Sequence, residues 1–571
     1  MKSENKYVKN LVSKMTLDEK VGALLTLGFS GTIAMPHIYE FITKYHCGGL
    51  RLSPTSRIFG SYVNPKSGET VVNVVDEKGF KNGIEPPTTN ASEYKKLLCE
   101  FQKLAMNRPH GIPLHFSYDQ EGGTSSDFNF SGVNIFTKPM GIRATGDSKL
   151  AYEVALAVSK QSKAVGFNWI HSPVIDINVD PRNPEVYTRA YSDRVEEVVE
   201  YSEQSCLGFK EGGLIATGKH FPGRGDSPVD AHFEVPVINV DRETMLKREL
   251  LPYKVLINKG LLPSIMIAHS IFPAFDSEHI ATVSKKIITG LLREKLKFDG
   301  VIATDSMTMG AIAIKYGVAN ACALSLEAGA DLVLMKAEGS LVEETFNKIK
   351  EFIKDGKISI EELDKKVYRV LNVKYEYGLF NYETITGERP EDIINEKRIV
   401  ALSKLVGRKS VLVARDRNKL LPIRKDEKIL VIEQINKTPN NFSWYPGILF
   451  KKCTKYKKNI SYLETNYTFD EQDIENIRRR IKDYNIIIVT NFYIRGKLAN
   501  NDIIKEIVGD KSKQVVLVTN TPYEVLSIPK EADSVVITFA TSPDNIEVVA
   551  GVIFGEVVPE GEWPIEYKLS E

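Results

Sequence analysis

Eight short apolar runs constrain the fold of this chain more than any other feature. They are ALLTLGF (23–29), GGLRL (48–52), PLHFSYD (113–119), WIHSPVIDI (169–177), LIATGKH (214–220), SIMIAHS (264–270), GVIATD (300–305) and DLVLMK (331–336). Longer helical patterns lie between them, among them SEYKKLLCEFQKLAMN, KLAYEVALAVSKQSKAVG and ETMLKRELLPYKVLINKG. Runs that are apolar at nearly every position read as strands buried on both faces, and a helix between each pair makes them parallel. A doubly wound open sheet shares this alternation. The count of eight favours a closed (β/α)8 TIM-type barrel, giving an α/β fold. Thr16 and Glu19 form a capping box that opens a helix ahead of the first run.

Six of the runs end in a polar residue: Asp119, Asp176, His220, His269, Asp305 and Lys336. One such ending is ordinary turn chemistry. In a barrel, however, the C-terminal strand ends all face one site.

The barrel pattern fades near KVYRVLNVKYEYGLF (366–380), and NYETITGERPED (381–392) reads as a linker. A second set of strands follows: SVLVAR (410–415), KILVIE (428–433), IIIVTN (486–491), VVLVTN (515–520) and SVVITFA (534–540). The expected organisation is a catalytic barrel over 1–380, a linker over 381–392 and a smaller layered α/β C-terminal domain over 393–571. Residues 437–480 carry too weak a periodicity for assignment. Residues 53–91, rich in Pro, Gly, Ser and Asn, make a long connection after the second run. It is expected to rise over the site face or to decorate the surface.

A chain of 571 residues with a formal net charge of +1 presents no broad cationic face for nucleic acid. Its five cysteines are scattered and form no CxxC pair, so neither a disulfide framework nor a zinc knuckle is expected. No apolar run reaches membrane-spanning length. The polar start MKSENKYVKN lacks the apolar core of a secretion signal. The expectation is a cytoplasmic protein with no nucleic-acid or membrane partner. Oligomeric state is not legible.

The densest chemistry lies in GKHFPGRGDSPVDAHFEVP (218–236). Arg224-Gly225-Asp226 spells an adhesion tripeptide, which would have to be extracellular to act, and no secretion signal is seen. His220, Asp226, Asp230 and His232 are metal-ligand types, but without HxH or HExxH spacing. Each polar residue taken alone is also an ordinary loop or ion-pair residue. A fourth reading is hydrolysis of a glycosidic bond, which needs a carboxylate beneath the anomeric carbon and a proton donor beside the leaving oxygen. Asp305, on a rigid strand end, suits the first role. His232, oriented by Asp230, suits the second, because imidazole titrates near neutral pH. Asp119, Arg189, Lys219 and His220 supply donors and acceptors for sugar hydroxyls.

With these residues in view, the chain resembles glycoside hydrolase family 3, and more narrowly its β-N-acetylhexosaminidase branch. The resemblance runs through MTLDEKVGALLTLGF, DQEGG, FTKPMGIRATGD, SPVIDINVDPRNP, IATGKHFPGRGDSPVDAH, GVIATDSMTMGAI and AGADLVLM, and into VIFGEVVPEGEWPIEY. It implies Asp305 as nucleophile, His232 as acid/base, Asp230 as its partner, and Asp119, Arg189, Lys219 and His220 as sugar-holding residues. It also implies a retaining, exo-acting β-N-acetylglucosaminidase with a carbohydrate substrate and neither cofactor nor metal. Departures stand around this set. Gly223-Arg224-Gly225 replaces a usual Gly-His-Gly, Thr124 follows DQEGG where an Arg is common, and Ser306 follows the nucleophile. These leave open a glycosidase for a different, anionic sugar, and the Asp-His dyad leaves open a phosphorylase of the same family, because a neutral His repels an incoming phosphate less than a carboxylate base would. Outside the family, a metal-dependent barrel hydrolase and a non-catalytic sugar-binding protein remain as readings.

Overall fold

A computed structural model describes residues 5–54, 61–63, 70–72, 89–231, 234–336, 340–381, 388–424, 427–435, 447–495 and 501–570. The eight apolar runs become the eight strands of a closed barrel. These are β1 (Leu25–Ser30), β2 (Gly49–Ser53), β3 (His115–Tyr118), β4 (Trp169–Ile170), β5 (Ile215–Phe221), β6 (Ser264–Ile267), β7 (Val301–Ser306) and β8 (Leu332–Met335). Neighbours in space are neighbours in sequence, and β8 closes on β1 through the parallel pair Leu25–Val333. Closure excludes the open-sheet alternative.

The helix Leu17–Ala23, just ahead of β1, carries the expected capping box: Thr16 and Glu19 satisfy each other's backbone N–H groups. The fourth run departs from expectation. Regular pairing covers only Trp169 and Ile170, because Pro173 has no N–H to give to a ladder. The chain still continues beside β5, with Val174 bridging Lys219, and this carries Asp176 to the site face. The 53–91 connection lies largely outside the described residues. Its described part includes a short antiparallel pair, Ser61–Val63 with Thr70–Val72.

A second, six-stranded sheet follows. Its strands are β9 (Leu412–Asp416), β10 (Ile429–Ile435), β11 (Ile460–Asn466), β12 (Ile486–Thr490), β13 (Gln514–Thr519) and β14 (Ser534–Ile537). The order is β9-β14-β13-β12-β10-β11, all parallel except β9. β11 falls in the stretch whose periodicity gave no assignment. It is an edge strand, mostly half-buried, so it shows no continuous apolar run.

The two layers share a core. Met140, Ala144 and Tyr187 from the barrel side pack into the apolar cluster of Leu430, Ile432, Val489 and Phe539. Buried hydrogen bonds cross the same seam, from Asn178 Nδ2 to Tyr523 Oη at 2.8 Å and from Ser192 Oγ to the Pro564 carbonyl at 2.8 Å. Among the described residues, no helix is long and apolar enough to cross a membrane.

Candidate active site

The polar strand ends converge as the barrel geometry requires. Lys219, on β5, reaches Asp119 Oδ1 at 2.8 Å and Glu121 Oε1 at 2.5 Å. Arg189 grips Glu121 with two parallel bonds, Nε to Oε2 at 2.7 Å and Nη2 to Oε1 at 2.9 Å. Lys219, Glu121 and Arg189 lie in a nearly dry setting, where charges persist only when paired, while the Asp119 side chain is partly open. Burial alone would raise the Glu121 carboxyl, but Arg189 and Lys219 outweigh it and hold the group below the usual glutamate range. Asp119 is held low in the same way, by Lys219 and Arg51.

Arg51 was not singled out by sequence. It is the one charged residue of β2, wholly buried, and it pairs with Asp119 and with Asp127 Oδ2, the latter at 2.7 Å. Asp127 thus stands where the region after DQEGG meets the site, and a second cation facing Asp119, beside Lys219, comes from β2. A lone arginine inside an apolar strand was the available signal, since it must find acidic partners there. Lys336, at the end of β8, is pushed below the ordinary lysine value chiefly by Arg51.

His220 Nδ1 donates to Asp176 Oδ2 at 2.7 Å, both side chains being buried. Burial, reinforced by Arg224, Arg189 and Lys219, keeps the ring neutral. Its Nε2 is therefore a lone-pair acceptor. His171, near Asp119 Oδ1, is likewise driven down to about 3, first by burial.

Asp305 ends β7. Its Oδ1 accepts the Ser306 N–H at 2.7 Å. Burial pushes the carboxyl up, yet His269, Arg224 and that N–H together keep it below the usual carboxylate value, so it stays ionised. His269 is fixed by its Nε2 donating to the Ser306 carbonyl at 3.0 Å.

The Arg224-Gly225-Asp226 segment is no surface tag. Arg224 is 3% exposed. Its Nη2 meets Glu185 Oε1 at 2.7 Å, its Nη1 stands 3.7 Å from Asp305 Oδ2, and its N–H donates to Asp176. Asp226 is turned away to Arg248 at 2.7 Å. The two glycines make this path possible. Gly223 has φ +128°, and a Cβ on Gly225 would lie 1.7 Å from the Ile177 carbonyl oxygen.

Asp230 is buried in the loop after β5, beside Ala231, whose N–H donates to Glu185 Oε2 at 3.2 Å. His232 lies outside the described residues. The metal-ligand set considered from sequence is dispersed over separate partners as far as it is described: His220 on Asp176 and Asp226 on Arg248. Among the described residues, the one group of potential ligands within 4.8 Å of each other is Asp276, Glu278 and His279, away from these strand ends.

The second layer also reaches this place. Arg495, after β12, stands 3.8 Å from Glu185 Oε1. No local pattern in the sequence could bring Glu185 and Arg495 together.

Residues 16–373 match the Glycosyl hydrolase family 3 N terminal domain. A Beta-hexosaminidase A of Pseudoalteromonas piscicida is 29% identical over 306 residues, 50% of this chain and 51% of its own length. A Beta-N-acetylglucosaminidase/beta-glucosidase of Cellulomonas fimi is 26% identical over 337 residues, 57% of this chain and 59% of its own. The chain thus aligns with little more than half the length of these curated relatives. A solved glycoside hydrolase family 3 beta-N-acetylglucosaminidase from Paenibacillus sp. str. FPU-7 superposes with a TM-score of 0.84 at 24% identity, covering 98% of this chain and 100% of that one. With a family match over most of the barrel and a fold shared over both layers, the chain belongs to glycosyl hydrolase family 3.

Proposed function

We propose that the protein is a retaining, exo-acting β-N-acetylhexosaminidase, acting on terminal β-linked N-acetylglucosamine. The observation that carries this reading is Asp305. It is a largely enclosed carboxylate kept ionised at a strand end, beside a dense set of fixed donors and acceptors. Asp305 attacks the anomeric carbon while the bond to the leaving oxygen breaks. His232, oriented by Asp230, gives its proton to that oxygen. A glycosyl ester on Asp305 results, and water, deprotonated by His232, then releases the sugar. Asp119, Lys219, His220 and Arg189 hold the terminal ring.

The names of the hexosaminidase relatives support the substrate class. The decisive experiment is a screen of aryl β-glycosides with and without inorganic phosphate. Release of free N-acetylglucosamine from its aryl glycoside, lost in Asp305→Ala, supports the reading. Formation of a sugar 1-phosphate instead would reassign the acceptor, and turnover of every aryl glycoside by Asp305→Ala would refute it.

A further inference from the structure

Arg224 has hydrogen-bonding capacity beyond its partners, and it stands beside Asp305. Its Nη2 is taken by Glu185 at 2.7 Å. Its Nε and Nη1 are buried and have no hydrogen-bond acceptor among the described residues, although Nη1 stands 3.7 Å from Asp305 Oδ2. An arginine that is 3% exposed pays a desolvation cost for each N–H left without an acceptor. A bound molecule that supplied one would recover that cost.

From this geometry, and resting on the reading above, we infer that Arg224 is a specificity-determining residue that donates to the acetamido oxygen on C2 of the sugar in the site. Three arguments lead there. First, Nη1 stands beside the nucleophile, so whatever it meets is borne by an atom next to the reacting carbon. Those atoms are the ring oxygen, C2 and the glycosidic oxygen, and the last leaves on the face opposite Asp305, so the ring oxygen and C2 remain. The transition state places positive charge on the ring oxygen, where a guanidinium would oppose it, so C2 is the productive side. Second, the charge of Arg224 is already balanced by Glu185 and faces Asp305. A third anion here would repel both carboxylates, so a neutral oxygen fits better than a carboxylate or sulfate substituent. Third, Arg224 is held from behind. Its backbone N–H is tied to Asp176 at 2.9 Å, and Gly223 and Gly225 leave no room for a relaxed path. Its open edge is therefore preorganised.

The test compares aryl β-glycosides that differ only at C2, carrying acetamido, hydroxyl or hydrogen. Wild type should favour acetamido over hydrogen by roughly 10- to 100-fold or more in kcat/KM, the size of one hydrogen bond to a charged donor. In Arg224→Lys and Arg224→Met all rates fall, and the acetamido preference should shrink to within about 3-fold, mostly through kcat. An unchanged preference in folded variants overturns the assignment. Should neither variant fold, wild type assayed with N-acetyl and N-trifluoroacetyl substrates decides it. The weaker acceptor should react more slowly, and equal rates overturn the assignment. Absence of turnover by wild type on every substrate refutes the glycosidase reading itself, whereas turnover without the C2 effect removes only the role given to Arg224.

Discussion

The Tyr493 phenol donates to the Pro184 carbonyl at 2.7 Å, and Pro184 immediately precedes Glu185. A residue following β12 in the second sheet thereby braces the segment that pairs with Arg224. Tyr493 also packs edge-on against Tyr187, with ring centroids 5.0 Å apart. Tyr493→Phe should cost about 1 kcal/mol, through the hydrogen bond alone. Tyr493→Ala should cost about 3 kcal/mol or more, through lost packing. Urea unfolding monitored by circular dichroism distinguishes the two, and equal stability of all three proteins would show that the seam is not structural.

Asp305→Ala should lower turnover of a responsive aryl glycoside by roughly 10³-fold or more, while the melting temperature stays close to that of wild type. Removing a largely enclosed carboxylate whose charge is only partly compensated carries little folding penalty. Steady-state kinetics with a parallel melting curve checks both halves.

Glu121 is the shared acceptor of Arg189 and Lys219. Glu121→Gln leaves two buried cations short of an anion, and it should destabilise by about 3–5 kcal/mol. A double change to Glu121→Leu with Arg189→Met should recover part of that loss. Chemical denaturation of the single and double variants measures the difference.

The same carboxylate makes stability depend on pH. Its folded-state value lies below its unfolded value of about 4.3. The stabilisation is therefore complete above about pH 5 and is lost as pH falls through 4 toward the lower folded value. Melting temperatures taken between pH 6 and pH 3 should fall more steeply for wild type than for Glu121→Gln. Parallel slopes would contradict this.

Gly225→Ala should be severely destabilising or should displace the loop, because its Cβ would meet the Ile177 carbonyl oxygen at 1.7 Å, a backbone atom that cannot rotate away as a side chain could. Soluble yield and melting temperature report the first outcome. Loss of activity in a folded variant reports the second.

The eight barrel strands were readable because each is buried on both faces, and such burial demands an unbroken apolar run. The strand ends Asp119, Lys219, His220 and Asp305 were readable for a related reason: polar groups at the C-terminal ends of barrel strands face one common mouth. β11 was not readable, because an edge strand with one partner needs no apolar run.

The ion-pair pattern inside the site was not in the sequence. Arg51 meets Asp119 and Asp127 across 68 and more residues of chain, and Arg224 meets Glu185 by way of a turn that two glycines permit. Arg495 arrives from another layer altogether. By itself the sequence determined the strands, their parallel closure and the kinds of groups at the mouth, since periodicity and burial are local properties. Which acid each cation faces, and which guanidinium edge is left open beside Asp305, was decided by the tertiary structure. Coulombic pairing in a dry interior depends on distances of a few ångströms that only the packed barrel sets.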